Sequence, residues 1–185
     1  MALKESNMLA LGTTAPFFRL QDTITNMAVS LDDFMGSKAL VLMFICNHCP
    51  YVLHVNDQII KLAKEYLLKG VRFVAISSND VVNYPDDSPE KMHAVGLKLG
   101  YPFPYLYDET QKVAQEYDAA CTPDFYVFDE HLKLVYRGQL DDSRPNSEIP
   151  VTGKDLRDAL DAILNNAEVN PIQRPSAGCN IKLKN

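Results

Sequence analysis

Three features of the sequence predict an α/β fold, with a mixed central β-sheet flanked by helices, an N-terminal extension and an extended C-terminal tail. The run Ala39 to Ile45 (ALVLMFI) is apolar throughout and bounded by Gly36-Ser37-Lys38 and Cys46-Asn47, the pattern of a strand buried on both faces. Val71 to Ser77 (VRFVAIS) is a second such run. Between them Val52, Val55, Ile59, Leu62, Ala63, Tyr66 and Leu67 form a helical stripe over Pro50 to Lys69 that Gly70 ends. Farther on, Phe125 to Phe128 and Leu132 to Arg137 flank the polar turn Asp129-Glu130-His131 and read as a hairpin. A strand–helix–strand unit together with a hairpin makes the sheet mixed.

The other elements follow from caps and breakers. Helices are expected over Pro89 to Leu99 with Ser88 as cap, Glu109 to Tyr117 with Asp108 as cap, and Lys154 to Asn166 with Thr152 as cap. Prolines break Tyr101 to Tyr107 (YPFPYLY), which reads as a loop feeding an edge strand, its aromatics packed on the core. After Asn166, Pro171, Pro175 and Gly178 interrupt any periodicity. The chain therefore divides into a domain over residues 1–167 and a tail over residues 168–185 that carries Cys179.

Composition narrows the function. The chain has 185 residues, 46% apolar and 23% charged, which suits one globular domain with a modest appendage. Its 18 Lys and Arg are scattered among 24 Asp and Glu, so the −6 balance leaves no electrostatic footprint for nucleic acid. The longest apolar run is far below the roughly 20 residues of a membrane span. The N-terminus (MALKESNMLALG) has neither a continuous apolar core nor a small-residue cleavage site, so no signal peptide is read and the cytoplasm is the expected compartment.

Four cysteines are too few for a disulfide scaffold, and in a reducing compartment they should not be structural bridges. Cys46 and Cys49 form a C-x-x-C pair directly after a buried strand and directly before a helix. Two thiols so spaced can close a small disulfide ring. The unsatisfied N–H groups and the dipole at the helix start favour a thiolate, as would a His48 imidazolium lying between the two. Pro50 sits where a first-turn proline loses no hydrogen bond. Half of a zinc site, or two structural cysteines, are the alternatives. Zinc needs four ligands, and in sequence Cys121 and Cys179 are isolated while His54, His93 and His131 form no second pair. No metal is assigned, and no cofactor beyond the Cys46–Cys49 disulfide. His54, one turn from the thiols, is a tuning group or a solvated residue.

A strand, C-x-x-C, a helix and then a Thr-Pro dipeptide before a hairpin strand (CTPDFYVFD) resemble the layout of the thioredoxin superfamily. GTTAPFFRLQD, LDDFMGSKALVLMF, VRFVAIS and DETQKVAQEYDAACTPDFYVFDEHLKLVYRGQ resemble, more closely, one branch of it. That branch holds the alkyl hydroperoxide reductase/thiol-specific antioxidant (redoxin) proteins and the thioredoxin-like thiol-disulfide oxidoreductases, and the match runs over about residues 10–165. CNHCPYV together with a PSxGCxIK tail resembles a subgroup of it. The resemblance implies a thioredoxin-like fold, with Cys46 the attacking thiol and Cys49 the resolving thiol. It also places Pro123, preceded by Thr122, at the cis-proline beside them, where a sharp turn exposes backbone that can pair with an extended peptide. Cys121 then lies near the pair, as a third redox thiol or a small buried hydrophobe.

Departures from the family pattern sharpen the reaction. Leu40 stands where thioredoxin carries a buried acid, which leaves His48 as the nearest candidate to take a proton. The peroxidase pattern P-x-x-x-T-x-x-C is absent in both registers: Ala39 and Met43 hold its Pro and Thr positions counted from Cys46, and Leu42 and Cys46 hold them counted from Cys49. The expected activity is thiol-disulfide exchange with a protein or small-molecule disulfide and a thiol reductant. A hydroperoxide-reducing peroxidase is the first alternative, and a metal-binding or redox-inactive interaction module the second. Cys179 is a further redox candidate. It lies thirteen positions after Asn166, a stretch reaching up to about 45 Å, against a domain radius of gyration of about 15 Å. Ile181 and Leu183 alternate with Lys182 and Lys184 as in a short edge strand.

Overall fold

The structure, a computed structural model, describes residues 3–184. Its strands are β1 (Leu3–Glu5), β2 (Arg19–Asp22), β3 (Ala28–Ser30), β4 (Ala39–Phe44), β5 (Val71–Ser77), β6 (Tyr105–Tyr107), β7 (Cys121–Thr122), β8 (Asp124–Asp129), β9 (Leu134–Gly138) and β10 (Ala177–Asn180). The helices are α1 (Pro50–Leu67), α2 (Pro89–Leu99), α3 (Lys112–Glu116) and α4 (Lys154–Leu164). Seven strands form a mixed sheet in the order β3-β2-β6-β5-β4-β8-β9, and a small sheet runs β1-β10-β7.

β4 is central because all six of its residues are apolar and all six are buried. It pairs in parallel with β5 and antiparallel with β8. Ala39, Val41 and Met43 pack on one face with Val52, Ile59 and Tyr66 of α1 and Leu156 and Leu160 of α4. Leu40, Leu42 and Phe44 pack on the other with Phe18, Tyr117, Tyr126 and Phe128. A strand sandwiched this way gains apolar burial from every residue, hence a run without alternation.

Element boundaries move where side chains reach past the local pattern. The Asp108 carboxylate accepts Ala114 N–H at 3.0 Å and Ser78 Oγ–H at 2.9 Å, and Gln111 turns left-handed at φ 61°. The expected helix from Glu109 therefore shortens to α3, and Gln111 caps it. At α4, Thr152 Oγ1 accepts the Lys154 N–H at 3.2 Å, but the capping position is Gly153 at φ 69°, and the helix stops at Leu164. In the hairpin, Asp129 Oδ1 accepts the N–H groups of His131 and Lys133, each at 2.9 Å, which delays β9 to Leu134.

Two expectations are corrected. β6 is an interior strand, since β2 from the N-terminal extension covers its outer side through Gln21–Tyr107 and Asp22–Leu106 pairs. In the tail the strand is Ala177–Asn180 and does not continue through Lys184. Ile181 and Lys182 are both buried and Leu183 is exposed, because Lys182 N–H and C=O bond Asn79 Oδ1 and Asp80 N–H, each at 2.8 Å, and end the alternation.

Candidate active site

The chain after β4 turns through Asn47 and His48 into α1, and Cys49 is the N-terminal cap of that helix with Pro50 in its first turn. Cys46 and Cys49 are both buried, at 2% and 0% exposure. Across from them the Thr122–Pro123 peptide is cis. Thr122 Oγ1 lies 3.5 Å from Cys46 Sγ, and the Thr122 carbonyl oxygen lies 3.2 Å from Cys49 Sγ. The structure thus brings Cys46, Cys49, Thr122 and Pro123 together. It adds Cys179, whose Sγ sits 2.8 Å from Cys49 Sγ, although the sequence spacing isolates it.

Sequence reasoning missed Asp87. It is fully buried, and its carboxylate accepts Asn47 N–H at 2.8 Å and Asn79 Nδ2–H at 2.7 Å. His48 Nδ1 stands 2.7 Å from Asp87 Oδ2 without the alignment of a directed hydrogen bond. The imidazole stacks on Tyr84 with centroids 5.8 Å apart and planes at 7°. The signal available in the sequence was topological: β4 and β5 are adjacent and parallel, so the loops leaving their carboxyl ends meet.

The surroundings push the two thiols in opposite directions. The neighbouring Cys46 thiol is the largest influence holding Cys49 below an ordinary thiol. Cys179, Thr122 and the Val52 N–H add to it against burial. Cys46 is pushed up by the neighbouring Cys49 thiol, by burial and by the Asp87 carboxylate. The physical reason is position: Cys49, not Cys46, occupies the cap that faces the free N–H groups of α1.

A redoxin family model matches residues 10–156. The chain belongs to the redoxin family. Its fold is thioredoxin-like, and among solved structures this redoxin is similar to an uncharacterized conserved protein from Geobacillus kaustophilus. The two are 60% identical with a TM-score of 0.98, covering 100% of this chain and 97% of that one. A hypothetical protein from Sinorhizobium meliloti 1021 is 44% identical, with a TM-score of 0.95, covering 97% and 98%. The thioredoxin domain of a thiol-disulfide oxidoreductase from Bacteroides vulgatus shares the fold at 20% identity and a TM-score of 0.61, covering 71% of this chain and 89% of that one. No curated protein matched. Among the described residues, no helix is long and apolar enough to cross a membrane.

The remaining candidates of this redoxin fall at different distances from the pair. Cys121 is buried in β7, with its thiol toward the carbonyls of Pro123 and Ser176 at 3.9 and 4.0 Å, and burial followed by the Asp124 charge pushes it up. His54 lines a small pocket with Tyr51, Pro123 and Ser176. His93 Nδ1 lies 2.7 Å from the Thr23 carbonyl, and His131 is exposed in the hairpin turn. Among the described residues, Cys46, His48 and Asp87 form the donor set that could hold a metal, with donor atoms within 4.8 Å of one another.

Proposed function

We propose that this redoxin is a thiol-disulfide oxidoreductase in which Cys46 and Cys49 interconvert between dithiol and disulfide. The observation that carries the reading is the pair itself: two thiols at a helix N-terminus, Cys46 Sγ 3.5 Å from Thr122 Oγ1 and Cys49 Sγ 3.2 Å from the Thr122 carbonyl, beside a cis-proline turn. Cys46 is the attacking thiol in this reading, since it retains 2% exposure where Cys49 has none.

The reductive direction starts with the charge on Cys49. As Cys46 attacks a substrate disulfide RS–SR′, its proton passes to the Cys49 thiolate. A Cys46–SR bond forms and R′S⁻ leaves. Cys49 then attacks Cys46 Sγ, its proton departs with the second product thiol, and RS leaves as RSH. Two electrons have passed from the protein to the substrate, and the Cys46–Cys49 disulfide remains. An external thiol reductant reverses the sequence. No other cofactor is required.

Cys49→Ser should trap mixed disulfides with protein or small-molecule partners, and Cys46→Ser should trap none. Equal trapping by both, or by neither, would count against the assignment. The metal-binding alternative rests on the Cys46, His48 and Asp87 donors. Zinc co-purifying one to one with the wild type and lost in Asp87→Ala would favour it.

A further inference from the structure

β7 is the two-residue strand that leads into the cis-proline, and an unpaired strand edge there is where an extended peptide would add itself by backbone pairing. In this chain the tail occupies that edge. β10 pairs antiparallel with β7, Cys179 opposite Thr122 and Asn180 opposite Cys121, and on its other side β10 carries β1. The fit is close. A side chain at Gly178 would collide with the Thr122 carbonyl, and Ser176 Oγ–H donates to the Pro123 carbonyl at 2.5 Å. The tail thus sits as a bound peptide would, and the residue it presents to the thiols is a cysteine.

We infer that Cys179 is a third redox thiol, the internal exchange partner of Cys49. The inference rests on the dithiol reading above and extends it. The carrying geometry is the 2.8 Å separation of Cys49 Sγ and Cys179 Sγ inside the core, held by the β10–β7 pairing. In the dithiol state Cys179 keeps its proton, because burial and the neighbouring Cys49 push it up, and it donates to the Cys49 anion.

Once the Cys46–Cys49 disulfide has formed, that anion is gone. The sulfur of Cys179 gives up its proton and attacks Cys49 Sγ; the Cys49–Cys179 bond forms and the Cys46–Cys49 bond breaks. Cys46 leaves as a thiolate and takes a proton in place of the one Cys179 released. The step is an exchange with no net oxidation. It returns Cys46 to the thiol state while the oxidising equivalents rest on the tail.

Peptide mapping after mild oxidation with oxidised glutathione, on Cys179→Ser and the wild type, tests this. The wild type should contain both Cys46–Cys49 and Cys49–Cys179, and Cys179→Ser only Cys46–Cys49. If the oxidised wild type holds only Cys46–Cys49 with Cys179 still alkylatable, and Cys179→Ser closes the same pair, the third-thiol inference falls and the dithiol reading survives. If Cys46–Cys49 closes in neither the wild type nor Cys179→Ser, the dithiol reading falls and takes the relay with it. Cys179→Ala repeats the comparison where a serine hydroxyl in β10 prevents folding.

Discussion

Ser6 Oγ donates a 2.7 Å hydrogen bond to the Asp124 carboxylate across 118 positions of sequence. Asp124 directly follows the cis-proline, is fully buried, and also accepts Tyr126 O–H at 3.0 Å. Ser6 Oγ in turn accepts the Ser176 N–H at 2.9 Å. The N-terminal extension, the tail and the cis-proline loop therefore close on one buried carboxyl.

That carboxyl makes stability depend on pH. Burial, opposed by the bonds from Ser6 and Tyr126, raises Asp124 from 3.8 to about 7. Between those values the folded protein holds a proton that the unfolded chain releases, so Asp124 lowers stability as pH rises through the window and adds no further slope above it. The full effect is about 4 kcal/mol at roughly 1.4 kcal/mol per pH unit. Thermal melts of the wild type and Asp124→Asn at pH 5 and pH 8 should show the wild type losing ground to the variant at the higher pH. Parallel changes in both would refute the assignment.

Asp87 should govern the reactivity of Cys46. Its carboxylate, within 4.8 Å of the sulfur, disfavours a second negative charge there. In a Cys49→Ser background, where Cys46 is tested alone, Asp87→Asn should shift the pH profile of Cys46 alkylation down by about one unit or more. An unchanged profile would show that the carboxylate does not reach the thiol.

Gly178→Ala should loosen the tail. The added methyl meets the Thr122 carbonyl, a backbone atom that cannot swing aside. Overpacking of this kind costs about 1–3 kcal/mol, and the strain falls on the β10–β7 pairing. Expected outcomes are a lower melting temperature and faster alkylation of Cys49 and Cys179. A variant with wild-type melting and thiol protection would contradict the packing described.

Peroxide should be a poor oxidant. Ala39 and Met43 stand where the peroxidase pattern has Pro and Thr, and both side chains are fully buried in β4, so that strand offers the site no hydroxyl. The hydroxyl beside Cys46 comes instead from Thr122. Stopped-flow oxidation of the reduced protein should stay below about 10⁴ M⁻¹s⁻¹, the lower end of ordinary enzyme efficiencies. Faster oxidation would favour the peroxidase alternative.

Much of the architecture is legible in the residues themselves. β5 spans Val71–Ser77 as its apolar run predicts, α2 spans Pro89–Leu99 behind its Ser88 cap, and the C-x-x-C pair stands between a buried strand and a helix start. These features are written within a turn or two of chain, where periodicity and capping act. β1, β7 and β10 carry no comparable signal, because strands of three, two and four residues are too short to show a period and exist only through their partners.

The site divides the same way. The sequence alone determined that two thiols would sit at a helix N-terminus, because that is a local motif, whereas Thr122 and Pro123 beside them are what the family resemblance implies and the fold brings together. Which thiol is favoured as the anion, and what surrounds the pair, were decided by tertiary structure. The Asp87 carboxylate arrives from the loop after β5, and Cys179 arrives on a strand 130 positions from Cys49. Such contacts have no local pattern to announce them. They depend on which loops the sheet order brings together, and a buried charge or thiol takes its ionisation from those neighbours and not from its own sequence.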